Sequence, residues 1–432
     1  MKLKLSLHYT ELFYVLFAYM LPVALILENT LGVGFVGYTD EILAVVCLFY
    51  IIYMALRSRI TGKDLFITIF LAALIFLTFI GNYISRVTTA WFPIMVDAVC
   101  LLKIFLGFIV YKQIAYHDKS KAMLRYMAIP SKLLIVTGAF FALVSQFVDI
   151  GMTFGDKRYG IAPYNFIFGA NGGGSRYGYV VACCLLILML TKMTEAEFRF
   201  YEILALFSMI MITKGVVYVV IVIYVVLKIM WRESSTSYKF SPLNIAFISV
   251  AAIAVSSFQI NTYLKDYQSP RVTLIRYGIK TANRFFPFGS GFATYCSDMA
   301  AKNYSRLYYD YGFATRWGMS PQNPAFLNDG YLGMVFGQYG YFGAAIYGVI
   351  LFLVFKIINK VNNLGKEVKA MTFAIFIGLL CSAIGTAIIK SSIGVYAFLI
   401  LGIICGYSEQ SYETGENLVP ERKKRFKLNL KF

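Results

Sequence analysis

A chain of 432 residues that is 59% apolar and 14% charged, with a mean hydropathy of +0.68, has too little polar surface for a water-soluble fold, so the bilayer must be its solvent. Its net charge of +18 suggests either nucleic-acid binding or membrane topology. The Lys and Arg residues cluster in short segments between apolar runs, as the positive-inside rule expects, and this excludes nucleic acid as a partner.

Taken in chain order, apolar runs near 11–27, 41–56, 65–81, 93–116, 133–150, 177–191, 200–213, 215–231, 243–260, 331–357, 369–389 and 391–407 are long enough to cross a membrane. The first is followed by Glu28, Asn29 and Thr30 rather than a small-residue cleavage pattern, so it reads as a retained helix. One helix over 200–231 would measure about 48 Å at 1.5 Å per residue. That exceeds a hydrocarbon core of about 30 Å, so a break is expected at Thr213, Lys214 and Gly215. The expectation is an all-α polytopic membrane protein of about 12 transmembrane helices with a large, partly helical extracytoplasmic loop. Four regions follow: an N-terminal bundle of about nine helices (1–260), the loop (261–330), the C-terminal helices (331–410) and a basic tail (411–432). With both termini cytoplasmic, most of the 40 Lys and Arg residues fall on the inner side.

Six cysteines, Cys47, Cys100, Cys183, Cys184, Cys381 and Cys405, lie inside apolar runs and only Cys296 lies outside, so no disulfide framework is expected. Within the spans the charged residues are Asp97, Lys103 and Glu202, too few for the carboxylate relay of an ion-coupled pump. Two long loops, 149–176 and 261–329, face outward and are where function should lie. Inside the second, Val272, Ile275, Ile279, Ala282 and Phe286 recur at three and four, with Arg276, Lys280 and Arg284 on the neighbouring face. This spacing predicts a helix at the membrane surface, its cations able to touch lipid headgroups.

Several chemistries lack their residues. The glycine-rich stretch 169–176 has no Lys-Ser/Thr ending, so it is no ATP phosphate loop. His8 and His117 both fall on the inner side and no Cys/His cluster exists, so neither a protein-held metal nor another cofactor is expected. Glu195 with Glu197 reads as a solvated inner loop.

The outer loop carries an ordered series of motifs: Arg271, then Pro287, Phe288, Gly289, Ser290 and Gly291, then a tyrosine-rich middle, then Asn328, Asp329 and Gly330 entering a helix marked by Gly340 and Gly343. In order and spacing it resembles the O-antigen polymerase and ligase superfamily (Wzy-type polymerases and related ligases). The resemblance implies an inverting transferase at the outer face of the bacterial inner membrane. Its substrates would be an undecaprenyl-diphosphate-linked glycan donor and acceptor, with membrane lipids around it and room for a chain-length regulator and a flippase as partners. It places Arg271 at the family's loop-opening arginine and Gly289 and Gly291 at its turn glycines. Asp329 falls where ligases usually carry His, a departure that leans toward a polymerase, and Lys214 resembles a basic residue of many relatives. A ligase, or a flippase for the lipid-linked unit, remains the alternative.

Physical chemistry agrees with these roles. Guanidinium groups offer paired, permanently charged donors to a lipid diphosphate, so Arg271 and Arg276 are expected to hold it, with Lys214, Arg176, Lys280 and Arg284 as further contacts. A carboxylate of raised pKa can accept the proton of an attacking sugar hydroxyl, and Asp329 is favoured over Asp298 and Asp310 by its place at a helix mouth. Tyr308 and Tyr309, with Tyr304, Tyr311 and Trp317, offer stacking faces to a glycan.

Overall fold

A computed structural model describes residues 9–32, 37–57, 60, 62–169, 172–231, 250, 269–384 and 386–415. These residues form fourteen α-helices and no strand. In chain order they are α1 (Tyr9–Leu31), α2 (Thr39–Leu56), α3 (Gly62–Ser85), α4 (Trp91–His117), α5 (Ala122–Val144), α6 (Gly173–Met189) and α7 (Glu195–Met211). There follow α8 (Gly215–Met230), α9 (Pro270–Arg284), α10 (Asp298–Lys302), α11 (Arg306–Asp310), α12 (Tyr331–Ile358), α13 (Lys366–Ser382) and α14 (Ser392–Thr414). Helices α1 to α5, α12 and α14 are long and apolar enough to cross a membrane, and the chain is a multi-pass membrane protein. The expected run 243–260, apart from Val250, and the basic tail beyond residue 415 lie outside the described residues.

Helices α4 and α14 lie at the centre, buried along most of their length. Gly402 and Gly406, one turn apart on α14, bring their backbones together, since a Cβ there would meet Phe108 O at 2.4 Å and Lys112 O at 2.2 Å. Side chains such as Phe13, Phe49, Phe66 and Phe76 stand exposed on the outer ring, where their solvent is lipid. Charge inside the bundle is matched. Lys103 meets Asp40 at 2.6 Å and Glu41 at 3.0 Å, and Lys112 meets Asp64 and Glu409, each at 3.0 Å. Glu202 pairs with Lys228.

The expected break between α7 and α8 is present: Thr213 takes φ +53° and Lys214 is the N-cap of α8. Other expectations change. Helix α5 begins eleven residues before the apolar run at 133, because Asp118 accepts from the amides of Ala122 and Met123, and because Lys132 is neutralised by Glu197 at 2.6 Å. Glu197 and Glu195 thus belong to the first turn of α7 rather than to a loop. The run 369–389 ends as a helix at Ser382 and continues as a short 3₁₀ turn, Ile388–Lys390. Helix α9 exists, with Ser269 as N-cap and Pro270 opening it, but its buried face is Leu274, Gly278, Thr281 and Ala282, packed on α12. The apolar residues Ile279 and Phe286 stay exposed, because the close-packed partner is a helix that small residues meet best.

Helix α12, read from sequence as one run, is broken at Gly340 (φ +64°, ψ −167°). The glycine-rich turn of the loop fills the break. Ser290 N and Gly291 N donate to Gly337 O (2.9 Å) and Gln338 O (3.0 Å), and beyond the break Phe342 N donates to Pro287 O (3.3 Å). Polar backbone freed by a kink at membrane depth needs such partners. The contact is tight: a Cβ at Gly289 would lie 2.3 Å from Gly340 N, and one at Gly291 2.3 Å from Asn82 Cγ with φ at +90°. Gly291→Ala should therefore destabilise the detergent-solubilised protein by roughly 1–3 kcal/mol, read as a fall in Tm. Gly348→Ala on the same helix, where nothing lies within 4 Å of the new methyl, should leave Tm unchanged.

Candidate functional site

The turn that fills the α12 break is also bonded to two other helices. Asn82 of α3 donates through Nδ2 to Phe292 O at 2.9 Å and accepts from Phe292 N at 2.7 Å, and Ser85 Oγ donates to Ser290 O at 2.6 Å. Asp97 of α4 accepts from Ala293 N at 2.8 Å and from Gln338 Nε2 at 3.1 Å, while Gln338 also donates to Tyr295 O. The bonds of Asn82, Asp97 and Gln338 are buried, so little water competes for them and the loop is held to the bundle. Gly289 and Gly291 lie in this seam, packed against backbone.

From the seam the chain runs into α10, whose first residue is Asp298. Its Oδ1 accepts from Asn328 Nδ2 at 2.6 Å and its Oδ2 lies 3.3 Å from Lys390 Nζ. Asp97, Ser297, Asp298, Tyr331, Gln338 and Lys390 line a crevice here. Desolvation in the crevice would raise the Asp298 carboxyl, but Lys390, the Asn328 amide and Lys103 outweigh it and hold the group down at about 2. Asp329, just before α12, behaves oppositely. Burial raises its carboxyl and Asp298 adds to the rise, against the pull of Arg271, Lys390 and Arg176. Arg271 Nη2 stands 4.0 Å from Asp329 Oδ2.

Beside this pair the same end of the bundle collects cations from separate segments. Burial, followed by repulsion from Arg158, Arg176 and Arg271, pushes the Lys214 ammonium down to about 8. Arg158 holds the α7–α8 turn by donating to Thr213 O at 3.3 Å. Arg176, in the first turn of α6, is within electrostatic range of Glu28, Asp298 and Asp329. The side chains of Arg176 and Lys214 make no hydrogen bond or ion pair to another described residue. Positive charge concentrated in one place favours an anionic ligand.

The structure thus brings together Arg271, Asp329, Lys214 and Arg176 of the residues expected from sequence. It does not bring Arg276, Lys280 or Arg284 to them. Arg276 is exposed, roughly 140° around α9 from Arg271. Lys280 lies over the rings of Tyr277 and Tyr311 at 5.3 and 5.5 Å, and Arg284 pairs with Asp310 at 2.8 Å on the surface. Tyr308 is fully buried, its hydroxyl accepting from Cys296 N at 2.8 Å, whereas Tyr309 is exposed. Sequence reasoning missed Arg158, Asp97's bonds to the loop, and Lys390. A signal existed for the last, a lone lysine separating two apolar runs.

The fold and this site define a helical membrane protein with a cluster of cations and carboxylates at the loop end. Compared with protein-family models and with curated proteins, the chain matches none. Because the Asp298 carboxyl sits below its ordinary 3.8, its ion pair stabilises the fold above that pH, and the contribution is lost as pH falls through about 2. Asp298→Asn should flatten the decline of Tm over that acid window and leave its shape near neutrality unchanged.

Proposed function

We propose that the chain is a membrane glycosyltransferase that joins undecaprenyl-diphosphate-linked oligosaccharide units into O-antigen, capsule or exopolysaccharide. The site would work at the outer face of the bacterial inner membrane, with both termini in the cytoplasm. One observation carries the reading: Arg158, Arg176 and Arg271, from separate segments, come within electrostatic range of Lys214, and Arg271 and Arg176 also reach Asp329, a carboxylate whose burial disfavours its charge.

In this reading the cations hold the diphosphate of the donor and take up the negative charge that grows on it as it leaves. The acceptor hydroxyl gives its proton to Asp329 while its oxygen bonds to the anomeric carbon of the donor. The bond from that carbon to the diphosphate breaks, and the electron pair departs with the diphosphate, inverting the carbon. Asp329 suits the base better than its rivals. Asp298 is kept a weak base by Lys390, and Asp310 is tied to Arg284 at the surface. Arg176 and Lys214 replace Arg276 as partners of Arg271.

Arg271→Ala should lower polymer synthesis at least roughly a hundredfold and Asp329→Asn by roughly 10²–10⁴-fold, in cells where each variant is inserted and abundant. Single repeats should then replace long chains in the product. Full-length polymer from either variant would overturn the assignment, and long chains stranded on the lipid carrier would point instead to a ligase.

The pH profile supplies a separate check. Activity, as kcat/KM, should rise as Asp329 loses its proton, from a pKa above the ordinary 3.8, and fall again as Lys214 loses its charge near 8. Lys214→Arg, which stays charged, should move the alkaline limb upward and leave the acid limb in place.

A further inference from the structure

The 3₁₀ turn Ile388–Lys390, between α13 and α14, presents a lysine that is only 8% exposed. Its Nζ has Asp298 Oδ2 at 3.3 Å but makes no hydrogen bond among the described residues. An ammonium carries three N–H donors, and leaving them unmade in a buried place is costly. The side chain lines the crevice it shares with Asp298, whose volume of about 10 Å³ admits a single ligand oxygen that would complete it. Asp97, which also lines the crevice, has its Oδ2 committed to Ala293 N and Gln338 Nε2.

The charges around Lys390 select the chemistry of that oxygen. Asp298 beside it is anionic and Asp329 lies within electrostatic range of both, so a second anion is repelled. A hydroxyl is not: it accepts from an ammonium and donates to a carboxylate at once. Asp329 is meanwhile within range of Arg271 and Arg176 as well as Lys390 and Asp298, which divides the site into a cationic part and a mixed-charge part with the carboxyl common to both.

We infer that Lys390 and Asp298 form a subsite for the hydroxyl groups of the acceptor sugar, distinct from the cations that take the diphosphate. The inference rests on the transferase reading above. The carboxyl that would accept the proton then adjoins the hydroxyls it must deprotonate.

The test uses the purified full chain in lipid nanodiscs and two probes, undecaprenyl diphosphate and the lipid-linked oligosaccharide extracted from cells lacking this protein. Wild type should bind both, the sugar-bearing probe more tightly. Lys390→Met should weaken the sugar-bearing probe roughly tenfold while undecaprenyl diphosphate binding changes by less than about twofold. Equal weakening of both probes, or of neither, overturns the subsite and leaves the transferase reading standing. Binding of neither probe by wild type overturns that reading itself. If Lys390→Met lowers Tm, Asp298→Asn is measured in its place, with the same selective loss expected and the same outcomes counting against it.

Discussion

The architecture depends on a helix that is interrupted where hydrogen bonds cannot be left open. Gly340 breaks α12, and the freed carbonyls of Gly337 and Gln338 and the amide of Phe342 are satisfied by the turn at residues 287–291. In water such a gap would be solvated; among apolar helices it must be filled by protein. The same turn is held by Asn82 and Asp97, so three helices and the loop share one seam. Through this seam a long connection becomes part of the rigid bundle, and Asp298 and Asp329 acquire defined places relative to α4, α6 and α14.

Charge follows two rules in two parts of the molecule. Inside the bundle the buried Lys369 is met by the oxygens of Asn359 and Asn362, Lys103 has Asp40 and Glu41, and Lys112 has Asp64 and Glu409. Separating either pair would strand a charge in a medium of low polarity, which makes these pairs structural. At the loop end Arg158, Arg176, Lys214 and Arg271 gather, and their repulsion adds to burial in disfavouring the charge on Lys214. An anionic group relieves that repulsion and a well-packed scaffold does not require it. The contrast between matched and unmatched charge is what separates a candidate site from the ion pairs that merely hold helices together.

The motifs behind the family resemblance also acquire a physical role that does not depend on the family. The glycines at 289 and 291 and the glycine at 340 are three residues of one joint, since each needs positive φ and each touches the backbone of a neighbouring element. Any protein that seats a loop in a kinked helix this closely needs glycine there. Their presence accounts for the attachment of the loop, while the chemistry rests on Arg271, Asp329 and their neighbours.

Much of this was legible in the sequence. Hydrophobic runs of bilayer length determined an all-α membrane protein, because a chain in lipid must satisfy its backbone within helices, and length alone required the break at Thr213. Loop position and residue type also drew attention to Arg176, Arg271 and Asp329, and the family resemblance to Lys214. Tertiary structure alone decided which of the loop's cations meet. Arg271 and Arg276 are five residues apart, yet the packing of Leu274 and Gly278 on α12 turns one toward Asp329 and the other to the surface. It also decided that Lys390, more than a hundred residues from Arg271, belongs beside Asp298. Periodicity reports which face of a helix is apolar, but burial and charge pairing depend on what lies opposite, and that is set only when the helices pack.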